Sequence, residues 1–108
     1  MAWTVEVDGA ALDELEKLPK DMRARFVRIV ELLESFGPRH VGMPHVRHLE
    51  GPLWEMRLRG RDGIARAIYF SAKGQRLVVV RAFVKKTQKT PRREIELAYR
   101  RMKGADDA

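Results

Sequence analysis

The residues with the clearest capacity for chemistry are cations set into strand-like runs. Arg57 and Arg59 lie in LWEMRLRG, Arg66 in GIARAIYF, Arg81 in RLVVVRAFV, and Lys85, Lys86 and Lys89 in KKTQK. Neighbouring strands run about 5 Å apart, so side chains level with one another on one face can hold a single phosphate together. A guanidinium suits that task because its planar fork gives two parallel N–H donors to phosphate oxygens. Arg66 and Arg81 each interrupt a run that is otherwise apolar, and a cation there must be paired or must sit on an open face of the sheet. For any one of these residues the alternative is a solvated charge or a bridge to Glu55, Asp62 or Glu94. Their recurrence on consecutive strands favours a shared anion.

Other residue types carry less. His40, His45 and His48 share one loop with Glu50, but their spacing fits no strong zinc pattern, so no metal is expected. The absence of cysteine removes disulfides, thiolate metal sites and a Cys nucleophile. Glu55 is either a general base or, more in keeping with its setting, the partner of Arg57 or Arg66. Trp54 and Phe83 have faces on which a base could stack, although both lie in strand runs where burial in a core is the simpler expectation.

The elements that must position these residues follow from the patterning. Trp3-Thr4-Val5-Glu6-Val7 alternates as a short strand, and Asp8-Gly9 breaks it. Leu12, Leu15 and Leu18 recur at helical spacing up to Pro19. Met22, Phe26, Ile29, Val30 and Leu33 form the stripe of a second helix, closed by Gly37-Pro38. These two helices make a hairpin. Residues 37–52 show no period and read as a long loop, a candidate for partner contact. Trp54, Met56 and Leu58 then point one way while Glu55, Arg57 and Arg59 point the other. Two tight turns, at 60–63 and 71–74, predict an antiparallel meander whose later strands are apolar on both faces. Thr90-Pro91 starts a last helix with Ile95, Ala98, Tyr99 and Met102 on one side.

The predicted fold is therefore α+β. An antiparallel sheet of about four strands carries an N-terminal helical hairpin and a C-terminal helix, in the order β-α-α-β-β-β-α. The helices are expected on one face and the arginines on the other. Residues 1–104 form a single domain and 105–108 a frayed tail.

Charge is unevenly spread. The 108 residues carry a net charge of +7, yet residues 1–50 hold 7 Lys/Arg against 9 Asp/Glu, and residues 51–108 hold 15 against 6. The excess lies wholly in the half that contains the meander, which favours a polyanionic partner such as nucleic acid. The N-terminal residues show no leader and no apolar run is long enough to span a bilayer, so a soluble, cytoplasmic protein with no membrane partner is expected.

The phrases LWEMRL, ARAIYF and AFVKKTQKTPRREIELA together resemble the RelE/HigB superfamily of toxins from bacterial toxin–antitoxin systems, in its phage-related, HigB-like branch. The likeness runs roughly from Val5 to Met102 and is most specific in KKTQKTP. It implies a RelE-like fold and a growth-arresting toxin that cleaves messenger RNA, usually on the ribosome. No metal or cofactor takes part: the RNA 2′-hydroxyl attacks the adjacent phosphorus while basic residues stabilise the phosphorane and the leaving oxygen. By position, the resemblance implies Arg57, Arg66, Lys85 and Lys86 as catalytic, with Arg59, Arg81, Lys89 and His48 as RNA-binding residues. It also implies a helix-turn-helix antitoxin as partner. The chain departs from better-known members at Glu55, where some carry a base, and it has no tyrosine soon after Lys86. Lysine and arginine at ordinary pKa values accept protons poorly, which leaves the proton path open. Two alternatives stand beside this reading. One is a ParE-like gyrase poison on the same fold; the other is a module that only holds phosphates.

Overall fold

The computed structural model describes residues 2–86 and 88–106. Its elements are β1 (Thr4–Val7), α1 (Gly9–Glu16), α2 (Lys20–Phe36), a 3-10 turn (Pro38–His40), β2 (Val46–Glu50), β3 (Leu53–Gly60), β4 (Gly63–Ala72), β5 (Arg76–Lys85) and α3 (Arg92–Asp106). The alternation and tight turns of the central stretch give the expected meander: β3 pairs antiparallel with β4 and β4 with β5. The class is α+β, as patterning predicts.

Three features differ from the expectation. The stretch 37–52 is not all loop, because β2 lies within it and pairs antiparallel with β3. The sheet thus has five strands in the order β1-β5-β4-β3-β2. It is mixed, since β1 joins the far edge parallel to β5. The helices also divide between the two faces. Met56, Leu58, Ala65, Ala67, Tyr69, Leu77 and Val79 pack with Leu15, Met22, Ile29 and Leu33 of the hairpin. Leu53, Ile68, Phe70, Val78 and Val80 pack with Ile95 and Ala98 of α3 on the opposite face. A strand buried on both faces must be apolar on both, and the sequences of β4 and β5 already state this.

Gly37 closes α2 at φ +82°, and a Cβ there would lie 3.2 Å from the Trp3 indole nitrogen. Both the left-handed backbone and the close indole call for glycine. α3 continues to Asp106, so Ala105 and Asp106 are helical where a frayed tail is expected; Asp107 and Ala108 lie outside the described residues. Among the described residues no helix is long and apolar enough to cross a membrane.

Candidate nucleic-acid interface

The functional face is the one that α3 covers at one end only. Odd-numbered side chains of β3 point to this face, and the register sets Arg57 opposite Arg66 and Arg59 opposite Ile64. Lys85 is opposite Ile64 on the other side of β4. The result is a cavity of about 520 Å³ lined by Arg47, Arg57, Arg59, Ile64, Arg66, Lys85, Lys86 and Gln88. Six of these eight residues are cationic, and none is acidic. The expected catalytic set, Arg57, Arg66, Lys85 and Lys86, is brought together here with Arg59.

The floor of the cavity is unusual. Glu55 is fully buried beneath the cations. Arg47 Nε donates to Glu55 Oε1 at 2.7 Å, and the Thr90 hydroxyl donates to Oε2 at 2.8 Å. Arg66 Nε lies 3.1 Å from Oε1 as an ion pair, but its N–H is not aligned for a hydrogen bond. Arg66 Nη1 and Lys85 Nζ are also buried, and among the described residues neither has a hydrogen-bond partner. Unsatisfied buried donors are costly and rare; two cationic ones, on residues that line one cavity, suit a site shaped for an anion.

The electrostatics agree with that geometry. Burial pulls the Arg66 guanidinium below its usual value, Glu55 opposes this, and Arg57, Arg47 and Arg59 add to the fall. Burial is also the largest influence on Lys85, which is pushed down to about 8 despite the attraction of Glu55. An amine at that value can exchange a proton near neutral pH.

Two of the expected RNA contacts are elsewhere. Arg81 does not join the cavity. Its Nη1 meets Glu14 Oε2 at 2.6 Å, and its Nε and Nη2 meet the two Glu94 oxygens at 2.7 and 3.1 Å. Arg81 lies level with Ile68 under α3, four residues and about 13 Å along the strand from Lys85. The hydrogen bonds it donates to Glu94 raise its pKa further, which marks it as a structural cation. His48 sits on the hairpin face of the sheet, where its ring lies 4.9 Å from that of Trp54 and its Nε2 is 2.8 Å from Gly51 O. Its ring is thus turned from the main cavity, although the residue borders the neighbouring groove with Arg47, Lys89 and Arg92. Lys89 is beside the site, lining a neighbouring groove with Arg47 and Arg92.

Sequence reasoning missed Arg47 because β2 reads as loop; its one signal is Val46, which alternates with it and is buried. Glu55 is paired as expected with Arg66, but with Arg47 rather than Arg57. Thr90 donates its hydroxyl to Glu55 instead of capping α3. Phe83 is core, whereas Trp54 remains 39% exposed. Among the described residues no group of three or more His, Asp or Glu side chains could hold a metal ion.

Comparison with known proteins places this geometry in a lineage. Residues 13–103 match the family described as phage derived protein Gp49-like (DUF891). The chain belongs to that family, within the RelE/HigB superfamily of toxins. It is 30% identical over 103 residues to the probable endoribonuclease HigB1 of Mycobacterium tuberculosis, covering 94% of this chain and 79% of that protein. Among solved structures, an Escherichia coli RelE mutant in the free state superposes with a TM-score of 0.68 over 94% of this chain and 99% of that one, at 17% identity. A chain of the archaeal RelE–RelB complex from Pyrococcus horikoshii gives 0.57 over 80% and 98%, at 26% identity. A chain of the RelBE2 toxin–antitoxin complex from M. tuberculosis gives 0.57 over 79% and 100%, at 25% identity.

Proposed function

We propose that this Gp49-like protein is the toxin of a toxin–antitoxin pair and cleaves messenger RNA without a metal, with the ribosome as the setting in which the RNA is presented. The observation that carries the reading is a cavity lined by six cations and no acid, two of which, Arg66 and Lys85, carry buried donors that have no hydrogen-bond partner among the described residues. The name of the HigB1 relative points the same way.

The reaction needs no nucleophile from the protein. The RNA 2′-oxygen bonds to the adjacent phosphorus and loses its proton to solvent water; the bond from phosphorus to the 5′-oxygen breaks, leaving a 2′,3′-cyclic phosphate and a 5′-hydroxyl. Negative charge accumulates on the equatorial oxygens of the phosphorane. Arg57 and Arg66, level on adjacent strands, are placed to grip those oxygens, and Lys86 adds charge at the rim. Lys85 is protonated below about 8 and gives its proton to the departing 5′-oxygen.

The strand has a path through the site. Beyond Arg57 and Arg59 the cavity leads to a hollow of about 170 Å³ with Arg25 and His45. Past Arg47 it leads to a groove of about 420 Å³ with Lys89 and Arg92. A flanking phosphate on one side thus meets Arg25, and on the other it shares the groove with Arg92, whose guanidinium also holds Glu50 at 2.6 Å. A free nuclease of this kind would harm its host, and the RelE relatives crystallised with RelB partners support an antitoxin partner here, of the helix-turn-helix kind.

Primer extension on transcripts after induced expression is the direct test. The wild-type chain should halt growth and leave discrete 5′ ends in coding regions; Arg66→Ala and Lys86→Ala should do neither while remaining folded. Full toxicity in both variants would defeat the site assignment. DNA damage with intact transcripts would instead mark a gyrase poison.

A further inference from the structure

We propose that Glu55 is a positioning residue: from beneath the site it fixes the aim of the Arg66 guanidinium and supplies the counter-charge that keeps Lys85 able to hold its proton. The inference rests on the endoribonuclease reading of the cavity and deepens it.

Glu55 is fully buried, and both of its oxygens are spoken for. Oε1 faces Arg47 Nε at 2.7 Å and Arg66 Nε at 3.1 Å; Oε2 accepts the Thr90 hydroxyl at 2.8 Å. With no exposed surface and both oxygens held by protein donors, it offers no oxygen that an RNA hydroxyl could reach. That removes it as general base. Its contact with Arg66 is on the Nε side, so it does not engage the far nitrogens of the fork; Nη1 has no hydrogen-bond partner among the described residues, and Arg66 lines the cavity. The Thr90 bond ties the same carboxylate to the segment just before α3, which follows Lys85 and Lys86 in the chain. One side chain therefore sets the relation between β2, β3, β4 and the exit of β5.

Its charge has a second consequence. Lys85 lines the cavity with Arg47 from β2, Arg57 from β3 and Arg66 from β4, and it feels the charge of Glu55, which is buried on the same face of β3 and paired with Arg47 and Arg66. Lys86 follows it in the chain, and Thr90 before α3 offers only a hydroxyl. Among the groups acting on Lys85, Glu55 alone favours the protonated amine. Without that anion, burial and three arginines would strip the proton from Lys85 at lower pH. The leaving oxygen would then find no donor at neutral pH.

Glu55→Gln separates the two states of charge with little change of shape. The first readout is the titration of the Lys85 side chain, followed by NMR of its ε-methylene carbon in the intact protein. The wild-type inflection should lie at about 8 and should move clearly downward in Glu55→Gln. The second is kinetic: kcat at neutral pH should fall at least about tenfold, with KM unchanged or lower because a negative charge has left a site for a polyanion. Thr90→Val should lower stability yet leave the Lys85 inflection in place. Should Glu55→Gln fail to fold, Glu55→Asp keeps the charge and shortens the reach; it should hold the Lys85 inflection and lose kcat through a misaimed Arg66. An unmoved Lys85 inflection in folded Glu55→Gln, or wild-type kcat in Glu55→Asp, would overturn the proposal. If the wild-type chain cleaves no RNA, the nuclease reading fails, while the Lys85 titration still reports on Glu55.

Discussion

Arg57 and Arg66 stand directly opposite each other on β3 and β4. The Arg57 amide is turned the other way, donating to His45 O at 2.8 Å, so the two arginines form the close, non-hydrogen-bonded kind of antiparallel pair. Like charges placed so destabilise a sheet by roughly 0.2–1 kcal/mol. Arg57→Gln should therefore raise the thermal stability of the free protein slightly while lowering cleavage. Melting curves and cleavage rates measured side by side check this, and a variant that loses both stability and activity would show that the pair is not repulsive.

Lys85 predicts a dependence on pH in two observables. Its folded value is about 8 against 10.5 for an ordinary lysine. Below 8 both folded and unfolded chains hold the proton, and the cost of burying the charge is fully present. Between 8 and 10.5 the unfolded chain holds a proton that the folded chain has released, so stability gained through this group rises with pH across that window. Urea midpoints from neutral to alkaline pH should show the rise in the wild type relative to Lys85→Met. Cleavage should fall over the lower part of the same range as the proton donor is lost.

Arg81 offers a contrast with its neighbours on β5. Its guanidinium bridges Glu14 of α1 and Glu94 of α3 at the sheet edge. Arg81→Ala should cost about 1–3 kcal/mol, from two carboxylates losing a charged donor, with cleavage per folded molecule retained. Chemical denaturation and single-turnover cleavage distinguish this from a role in RNA contact, in which activity would fall and stability would hold.

Arg25 tests the path of the strand. It is exposed on α2 and reaches the site only through the hollow it shares with Arg57 and Arg59. Arg25→Ala should weaken binding of a single-stranded RNA oligonucleotide and reduce the slope of log affinity against log salt by about 0.7, the value for one phosphate contact. Fluorescence anisotropy across a salt series measures it, and an unchanged slope would remove Arg25 from the interface.

The meander was legible in the sequence because alternation and tight turns state it directly. The odd-numbered residues of β3 face the cavity as their pattern predicts. Less legible was the side on which each helix packs. A stripe such as Ile95 and Ala98 says that α3 is buried but not against which face, although apolar runs on both faces of β4 and β5 imply cover on both. β2 was hidden because VRHLE is a polar edge strand with a partner on one side only, and Arg47 was hidden with it. Arg81 keeps the period of two with Lys85; what alternation does not state is that Glu14 of α1 joins Glu94 of α3 in holding it away from the cavity. His48 follows the alternation of β2, but that alternation carries information only once the strand is known.

β1 stops at Val7, opposite Val79, so the outer edge of β5 beyond that point has no neighbouring strand. A bare run of amides there would invite a strand from another copy of the chain. Glu14 Oε1 takes the Ala82 amide at 3.1 Å, and Arg101 Nη1 takes the Val80 carbonyl at 2.9 Å. The ion pairs around Arg81 thus act as a stopper: an approaching strand meets a carboxylate and a guanidinium already seated on the ladder, and the sheet cannot be lengthened from this side.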